Sequence, residues 1–399
     1  MVPPSKILSN LSLAAAAAIL SLGAAELVLR TAVPPSRGYS VLPPGATWTL
    51  IPEPEVLHGL DGVSHVRVNR FGVRGRKFGD DRAEYRILAV GGSTTLCRAL
   101  DDSEVWTHLL EADLGRTVDG RQVWVGNVGR DGASARDHVL QLKYLLKEYP
   151  RMDVIVALVG VNDMMPALHQ GWNYRLPAAV TEPDAEREEM PRAFASFPGR
   201  LQDQVSSGAG PVAWYKASAL WQLARRTKQA LGRRRAIRMG LAGQSPIIDA
   251  RRERVTATKI DSLPSLDAPV TEYARNLNAM VDLAVAAGVQ LVFVTQPSVW
   301  RTGMSDVEER QLWLGLVVMD GVPGPAYFTT RVLARAMARY NQTLLDVCHE
   351  RGLACVDAAN LLPHDTTAMY DDVHFNEQGA RLLERTLADH FRQHAPFVP

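Results

Sequence analysis

From Tyr85 onward, short apolar runs alternate with amphipathic stretches at helical spacing: "RILAV" then "SEVWTHLLEADLG", "VWVGNV" then "SARDHVLQLKYLLKEY", "DVIVALV", and later "TEYARNLNAMVDLAVAAG" then "QLVFVT". A helical pattern from Arg331 to Glu350, the short run "ACVD" and the amphipathic "NEQGARLLERTLADHF" complete the series. Runs that are apolar on both faces and separated by helices belong to a parallel sheet covered on both sides. The pattern predicts a three-layer α/β/α sandwich with a parallel sheet of about five strands. Ser134 with Asp137 predicts a capping box at one helix start, and Gly288 a stop at the end of another. Ahead of the series, "HVRVNRFGVRGR" alternates Val with polar residues and turns at glycines, which predicts a short hairpin or edge ribbon.

Two regions depart from this rhythm. Ile7 to Leu29 carries Glu26 as its one ionised side chain, with Lys6 before it and Arg30 after it, and suits a helix crossing a bilayer of about 30 Å. The small residues of "SLGAAE" fit a cleaved signal, but the apolar run continues through "LVLR", so an uncleaved anchor at residues 1–30 is expected. Either reading places the remainder outside the cytoplasm, in the periplasm or beyond the cell. The Pro- and Gly-rich "AVPPSRGYSVLPPGAT" reads as a linker over residues 31–47, with the globular domain at 48–399. Inside that domain, residues 166–269 are rich in Pro, Arg, Glu and Ser and read as an insertion covering the sheet or the mouth of a site. Its clusters Arg233 to Arg235 and Arg251 to Arg254 read as a solvated face, with lipid head groups or an anionic glycan as the alternative contact.

Charge and cysteines narrow the class. Lys plus Arg number 44 against 43 for Asp plus Glu, and a net charge of +1 gives no general attraction for nucleic acid. Cys97, Cys348 and Cys355 show no metal-binding spacing and read as small buried apolar residues, a Cys348–Cys355 bridge staying open for an oxidising compartment.

In open parallel sheets the site lies at the carboxyl ends of the strands. The loops there carry Gly91-Gly92-Ser93-Thr94, "NVGRDGAS" with Gly132, "GVND" with Asn162, "TQP" with Gln296, and "YDDVHFN". These are the parts of an acyl-transfer centre. Ser93 would be the nucleophile, His374 its base and Asp371, three residues earlier, the carboxylate that fixes the imidazole tautomer. The Ser93 amide, the Gly132 amide and the Asn162 carboxamide would form the oxyanion hole. The small residues before Ser93 would let the strand turn sharply and present the hydroxyl at the sheet edge. This chemistry calls for neither metal nor organic cofactor.

"GGST", "NVGRDG", "GVND" and "DDVHFNEQG", in this order, resemble the four blocks of the SGNH (GDSL) hydrolases, from about Asn69 to Phe391. The resemblance implies a flavodoxin-like sheet order, serine ester hydrolysis, and the roles given above for Ser93, Gly132, Asn162, Asp371 and His374. The usual Gly-Asp-Ser is here Gly91-Gly92-Ser93, which keeps the nucleophile and removes a carboxylate that commonly braces the block. "GGSTT", an upstream Asn69, Gly72, Arg74 and Gly75, and an N-terminal membrane helix are similar to exported bacterial esterase-like proteins.

Blander readings apply to single motifs. A Gly-rich turn alone can serve packing or cradle a phosphate, but no G-x-G-x-x-G or P-loop pattern accompanies this one. Cys97 reads as packing, Asp372 as pointing away from the site, and Trp300 and Trp313 as a lid, an acyl pocket or core. Arg130 and Asp163 would orient substrate or pair with solvent. The expected partners are an ester-bearing small molecule, glycan or lipid, with the membrane met through the N-terminal helix. Two alternatives stand beside hydrolysis: an O-acyltransferase using the same residues on an exported polysaccharide, and a catalytically silent glycan-binding protein on the same fold.

Overall fold

The strand Glu84–Gly91, β3, is buried at every residue and is an interior strand of the molecule's main sheet. The computed structural model describes residues 38–198, 245–319 and 321–398, with residues 12–14, 16–18, 20–26, 28, 218 and 220. It divides into two compact units, residues 1–39 with 197–242 and residues 40–196 with 243–399. In the first unit the described residues of 12–28 are helical. Among the described residues no helix is long and apolar enough to cross a membrane, and much of the anchor expected over residues 7–29 lies outside them. The arginines at 233–235 also lie outside the described residues.

The second unit opens with β1 (Thr47–Leu50) paired antiparallel to β2 (Ser64–Arg67). Then follow β3, one helical turn α1 (Ser93–Leu96), α2 (Trp106–Leu114), β4 (Gln122–Asn127), α3 (Ala135–Glu148), β5 (Val154–Leu158), α4 (Val161–Gln170) and α5 (Pro183–Ala193). After the second unit resumes come α6 (Ser245–Thr256), β6 (Thr258–Ile260), α7 (Asp267–Ala287) and β7 (Gln290–Val294). The chain finishes with β8 (Leu316–Val317), β9 (Ala326–Phe328), α8 (Thr330–Arg351), β10 (Cys355–Val356) and α9 (Glu377–Phe391).

The five-stranded sheet has the order β10-β7-β5-β3-β4, and each neighbouring pair is parallel. Counted along the chain this is the doubly wound order 2-1-3-4-5, whose crossover direction reverses between β3 and β5. Right-handed crossovers then place helices on both faces. Helices α2 and α9 pack together, while α3, α7 and α8 pack in succession. The sandwich predicted from alternation is therefore present.

Local signals hold where the side chain acts on its own backbone. Ser134 and Asp137 form the capping box of α3, with the Ser134 amide donating to the Asp137 carboxylate at 2.8 Å. Gly288 ends α7 at φ +66°. The expected ribbon at 65–76 takes a different form: residues 64–67 pair with 47–50, and the Gly-rich turn closes through one bridge between Val68 and Arg74. Asn69 holds that turn, its carbonyl oxygen accepting from Phe71 at 2.8 Å and its amide donating to Arg76 at 3.1 Å. A second difference is the small sheet β6-β9-β8, whose strands are too short to show an apolar period.

Two residue readings are corrected. Arg251 and Arg254 are buried at 9% and 1% exposure instead of forming a solvated face, because helical spacing puts both on the side of α6 that meets the site loops. Cys348 and Cys355 are joined in a disulfide, their Cα atoms 6.3 Å apart, because the end of α8 and β10 approach across a tight turn.

Candidate active site

Strand β3 runs into Gly91 and Gly92, and α1 starts at once with Ser93. Both glycines are required by space. A Cβ on Gly91 would collide with the Thr95 hydroxyl and the Leu158 carbonyl, and one on Gly92 with the Asn162 carboxamide. The sharp turn thus brings Ser93 out at the β3–β5 switch point, where open parallel sheets hold their ligands. The single turn ends at Cys97 in the left-handed conformation, φ 47°. Burial pushes the Cys97 thiol up to about 12, so it is protonated and packs instead of acting as a second nucleophile.

Ser93 Oγ lies 2.7 Å from His374 Nε2, and His374 Nδ1 lies 2.9 Å and 2.8 Å from the two oxygens of Asp371. The three-residue spacing works because Asp371 begins a tight turn in which its Oδ1 also accepts the backbone amides of Val373, at 3.0 Å, and His374, at 2.9 Å. Burial alone would raise the Asp371 carboxyl. The imidazole charge and the hydrogen bonds from His374 and Trp313 overcome it and hold the group below the usual carboxylate range. Burial alone would lower His374, yet the adjoining Asp371 carboxylate carries the imidazole above its ordinary value. A serine hydroxyl, a basic imidazole and an ionised carboxylate thus form one continuous relay.

The oxyanion candidates arrive from the next two loops. Asn162 is the second residue of α4, and its amide donates to the Ala133 carbonyl at 2.9 Å while lying against Gly92. Gly132, at φ +74° with open space beside its Cα, immediately precedes Ala133. Asp163 joins the two loops, accepting the Ala135 amide at 3.0 Å. Burial pushes its carboxyl well up. The Ser93 amide is at a helix N-terminus, where the first N–H groups have no intrahelical acceptor. The serine, histidine and aspartate are thus in hydrogen-bond contact, Asn162 lies against the glycine before the serine, and Gly132 adjoins the residue to which Asn162 donates.

Other candidates are placed elsewhere. Gln296 is buried and accepts from Thr94 Oγ1 at 3.2 Å, bracing α1 from beneath. Arg130 donates to the carbonyls of Val41 and Pro191. Trp300 is buried with its indole N–H on Asp372, at 2.8 Å, so it is core and not a lid. Asp372 points away from His374, as expected, and accepts the Trp313 amide at 2.8 Å. Burial first, then the neighbouring Asp371 charge, raises the Asp372 carboxyl.

Several supporting residues were not assigned from the sequence. Arg74, 2% exposed, donates to the carbonyls of Leu96, Cys97 and Leu100 and to Asp102, fixing the exit of α1. Its place in the Asn69-to-Gly75 motif was the available signal. Arg251 donates to the Val56, Gln311 and Tyr370 carbonyls, tying α6 to the residue before Asp371. The Arg251–Arg254 spacing of three was a signal for one buried helix face. Among the described residues no group of His, Cys, Asp and Glu is arranged to hold a metal ion.

Comparison with known proteins fits this arrangement to a family. The model of the GDSL-like lipase/acylhydrolase family matches residues 89–382, about three-quarters of the chain. None of the curated proteins matches in sequence. Among solved structures, a lipolytic protein of the G-D-S-L family from Veillonella parvula is similar at 12% identity and TM-score 0.39, covering 78% of this chain and all of that one. Acetylxylan esterase Axe2 of Geobacillus stearothermophilus is similar at 13% identity and TM-score 0.38, over 76% of this chain and 93% of its own. Likenesses at that level carry no argument beside the family match. A match of that extent, over the very loops that carry the serine, the carboxamide and the histidine, makes this chain a member of the GDSL-like lipase/acylhydrolase family and an ester-hydrolysing enzyme.

Proposed function

We propose that the protein is a serine esterase of the SGNH type that cleaves O-acyl esters through a covalent acyl-enzyme. The observation that carries this reading is the unbroken relay from Ser93 through His374 to Asp371, with the Asn162 amide and Gly132 beside it. His374 takes the Ser93 proton as Oγ attacks the ester carbonyl. The oxyanion that forms is held by the Ser93 and Gly132 amides and the Asn162 carboxamide. His374 then returns its proton to the leaving alcohol, and a water activated by the same imidazole releases the acid.

The substrates we propose are acylated glycans or envelope lipids outside the cytoplasm, acetyl esters among them, with the chain held to the membrane by its N-terminal segment. The apolar run from Ile7 to Leu29 supports that placement, and so does the Cys348–Cys355 disulfide, since such bonds persist in oxidising compartments.

The test is hydrolysis of nitrophenyl acetate and butyrate by the full-length protein beside Ser93→Ala and His374→Ala. Wild-type turnover that either substitution lowers by roughly 1000-fold or more is expected. Because the neutral imidazole is the active form and its pKa is raised, kcat/KM should decline on acidification from above the ordinary histidine range. A folded wild-type protein with no turnover above the Ser93→Ala background would overturn the reading. Adding a glycan acceptor to the same assay separates transfer from hydrolysis: acylated glycan formed faster than free acid would favour the acyltransferase.

A further inference from the structure

Between β7 and β8 the chain passes the catalytic loop as a strap, and the strap is fixed to that loop by its neighbouring carboxylate. Buried Asp372 accepts the Trp300 indole N–H at 2.8 Å and the backbone amides of Trp313 and Leu314 at 2.8 and 3.3 Å, while its own carbonyl accepts the Val299 amide at 3.0 Å. From the other side, Arg251 donates to Gln311 and Arg254 to Leu314, at 2.7 and 2.8 Å. The backbone of Trp313 is thereby held in place. Its side chain reaches a different carboxylate from its amide: the indole N–H donates to Asp371 Oδ2 at 2.9 Å, the oxygen that also faces His374 Nδ1. The indole plane lies within 5° of the imidazole plane, ring centres 6.3 Å apart, and the Tyr370 ring is parallel to the same imidazole within 8°.

We infer that Trp313 is a positioning residue for the proposed base: held by Asp372, its indole N–H fixes the Asp371 carboxylate against His374 and takes up part of its charge. The inference rests on the esterase reading of the site. Packing alone would be met by any flat apolar ring at this position and would not direct the N–H to the oxygen that the imidazole uses. A hydrogen bond to a carboxylate stabilises the charge it shares and leaves less of it for the imidazolium. Trp313 therefore orients His374 and also moderates its basicity, keeping the imidazole able to return its proton to the leaving alcohol.

The test is Trp313→Phe in the full-length protein, which keeps a ring and removes the donor. With one fewer donor on Asp371, the His374 imidazolium is stabilised further. The acid limb of kcat/KM should move to higher pH, and kcat should fall about tenfold, the scale of one hydrogen bond to a charged group. The remaining ionisable groups around the imidazole are Asp131 and Asp372, with Arg98, Arg251, Arg254 and Tyr370 around its neighbours, and the substitution changes none of them. An acid limb and a kcat both unchanged from wild type overturn the inference, because neither the orientation nor the charge of the Asp371–His374 pair would then depend on the indole N–H.

A second measurement needs no variant. In wild-type protein the Trp313 indole proton resonance should shift in step with the titration of His374, and an indole signal indifferent to that titration overturns the inference even if Trp313→Phe fails to fold. Absence of Ser93-dependent turnover in wild type would overturn the esterase reading instead, and the resonance titration would still decide whether Trp313 is coupled to His374.

Discussion

At the residue scale the site depends on what is missing from two positions. Gly92 stands where the family pattern has an aspartate, and the space a side chain would take is occupied by the Asn162 carboxamide. The departure noted in the sequence thus has a physical partner: the brace of this block is an amide from the loop after β5 and not a carboxylate on its own. Gly92→Ala should push Asn162 off its position and lower kcat by about 100-fold, the scale of losing one oxyanion donor, with the circular dichroism spectrum unchanged. Steady-state kinetics on a nitrophenyl ester checks this, and a loss below about threefold would mean that Asn162 does not serve the oxyanion. The five site residues were legible because nucleophile, base and carboxylate are chemically distinctive and each follows a strand. Trp313 was legible as an aromatic residue after the fourth strand, read as lid, acyl pocket or core, but not as a donor to Asp371, since no local spacing links positions that lie 58 residues apart.

At the scale of elements, α6 is the clearest difference between the sequence and the structure. A segment dense in arginine reads as solvated because an isolated guanidinium is costly to bury. Here carbonyls offset part of the cost: Arg251 satisfies three of them, and Arg254 donates to Leu314 and Phe328 through Nη1, while its buried Nε and Nη2 make no hydrogen bond with the described residues. Those acceptors come from segments distant in sequence, so the pattern of α6 alone could not announce them. The regular elements were legible for the opposite reason, since the strand runs are buried on both faces and the helix caps act within three residues. Arg251→Met should leave the Val56, Gln311 and Tyr370 carbonyls short of a donor and destabilise the fold by about 2 kcal/mol. A thermal midpoint lowered by roughly 2 to 5 °C would be the readout. Turnover measured well below that midpoint should also fall, because Tyr370 is the residue before Asp371.

At the scale of the whole molecule, the order of strands explains how residues so far apart share one centre. The nucleophile leaves β3 at the reversal point, Asn162 follows β5 beside it, and His374 enters from the loop ahead of α9. The disulfide lies at the sheet's β10 edge, joining the end of α8 to that strand across seven positions. Chain-entropy reasoning gives a loop this short about 2 kcal/mol of stabilisation. Cys348→Ser should therefore lower the thermal midpoint while leaving esterase turnover at 25 °C within about twofold, since the bond touches none of the site residues. A differential scanning measurement beside the nitrophenyl assay checks both halves, and a collapse of turnover in a folded variant would show that the β10 edge is coupled to the site.

The separation of 281 positions between Ser93 and His374 has a consequence in time as well as in space. A ribosome adding roughly 5 to 20 residues each second finishes the stretch between them only after about 14 seconds or more. Throughout that interval the serine has neither base nor carboxylate, so the growing chain cannot attack the esters around it.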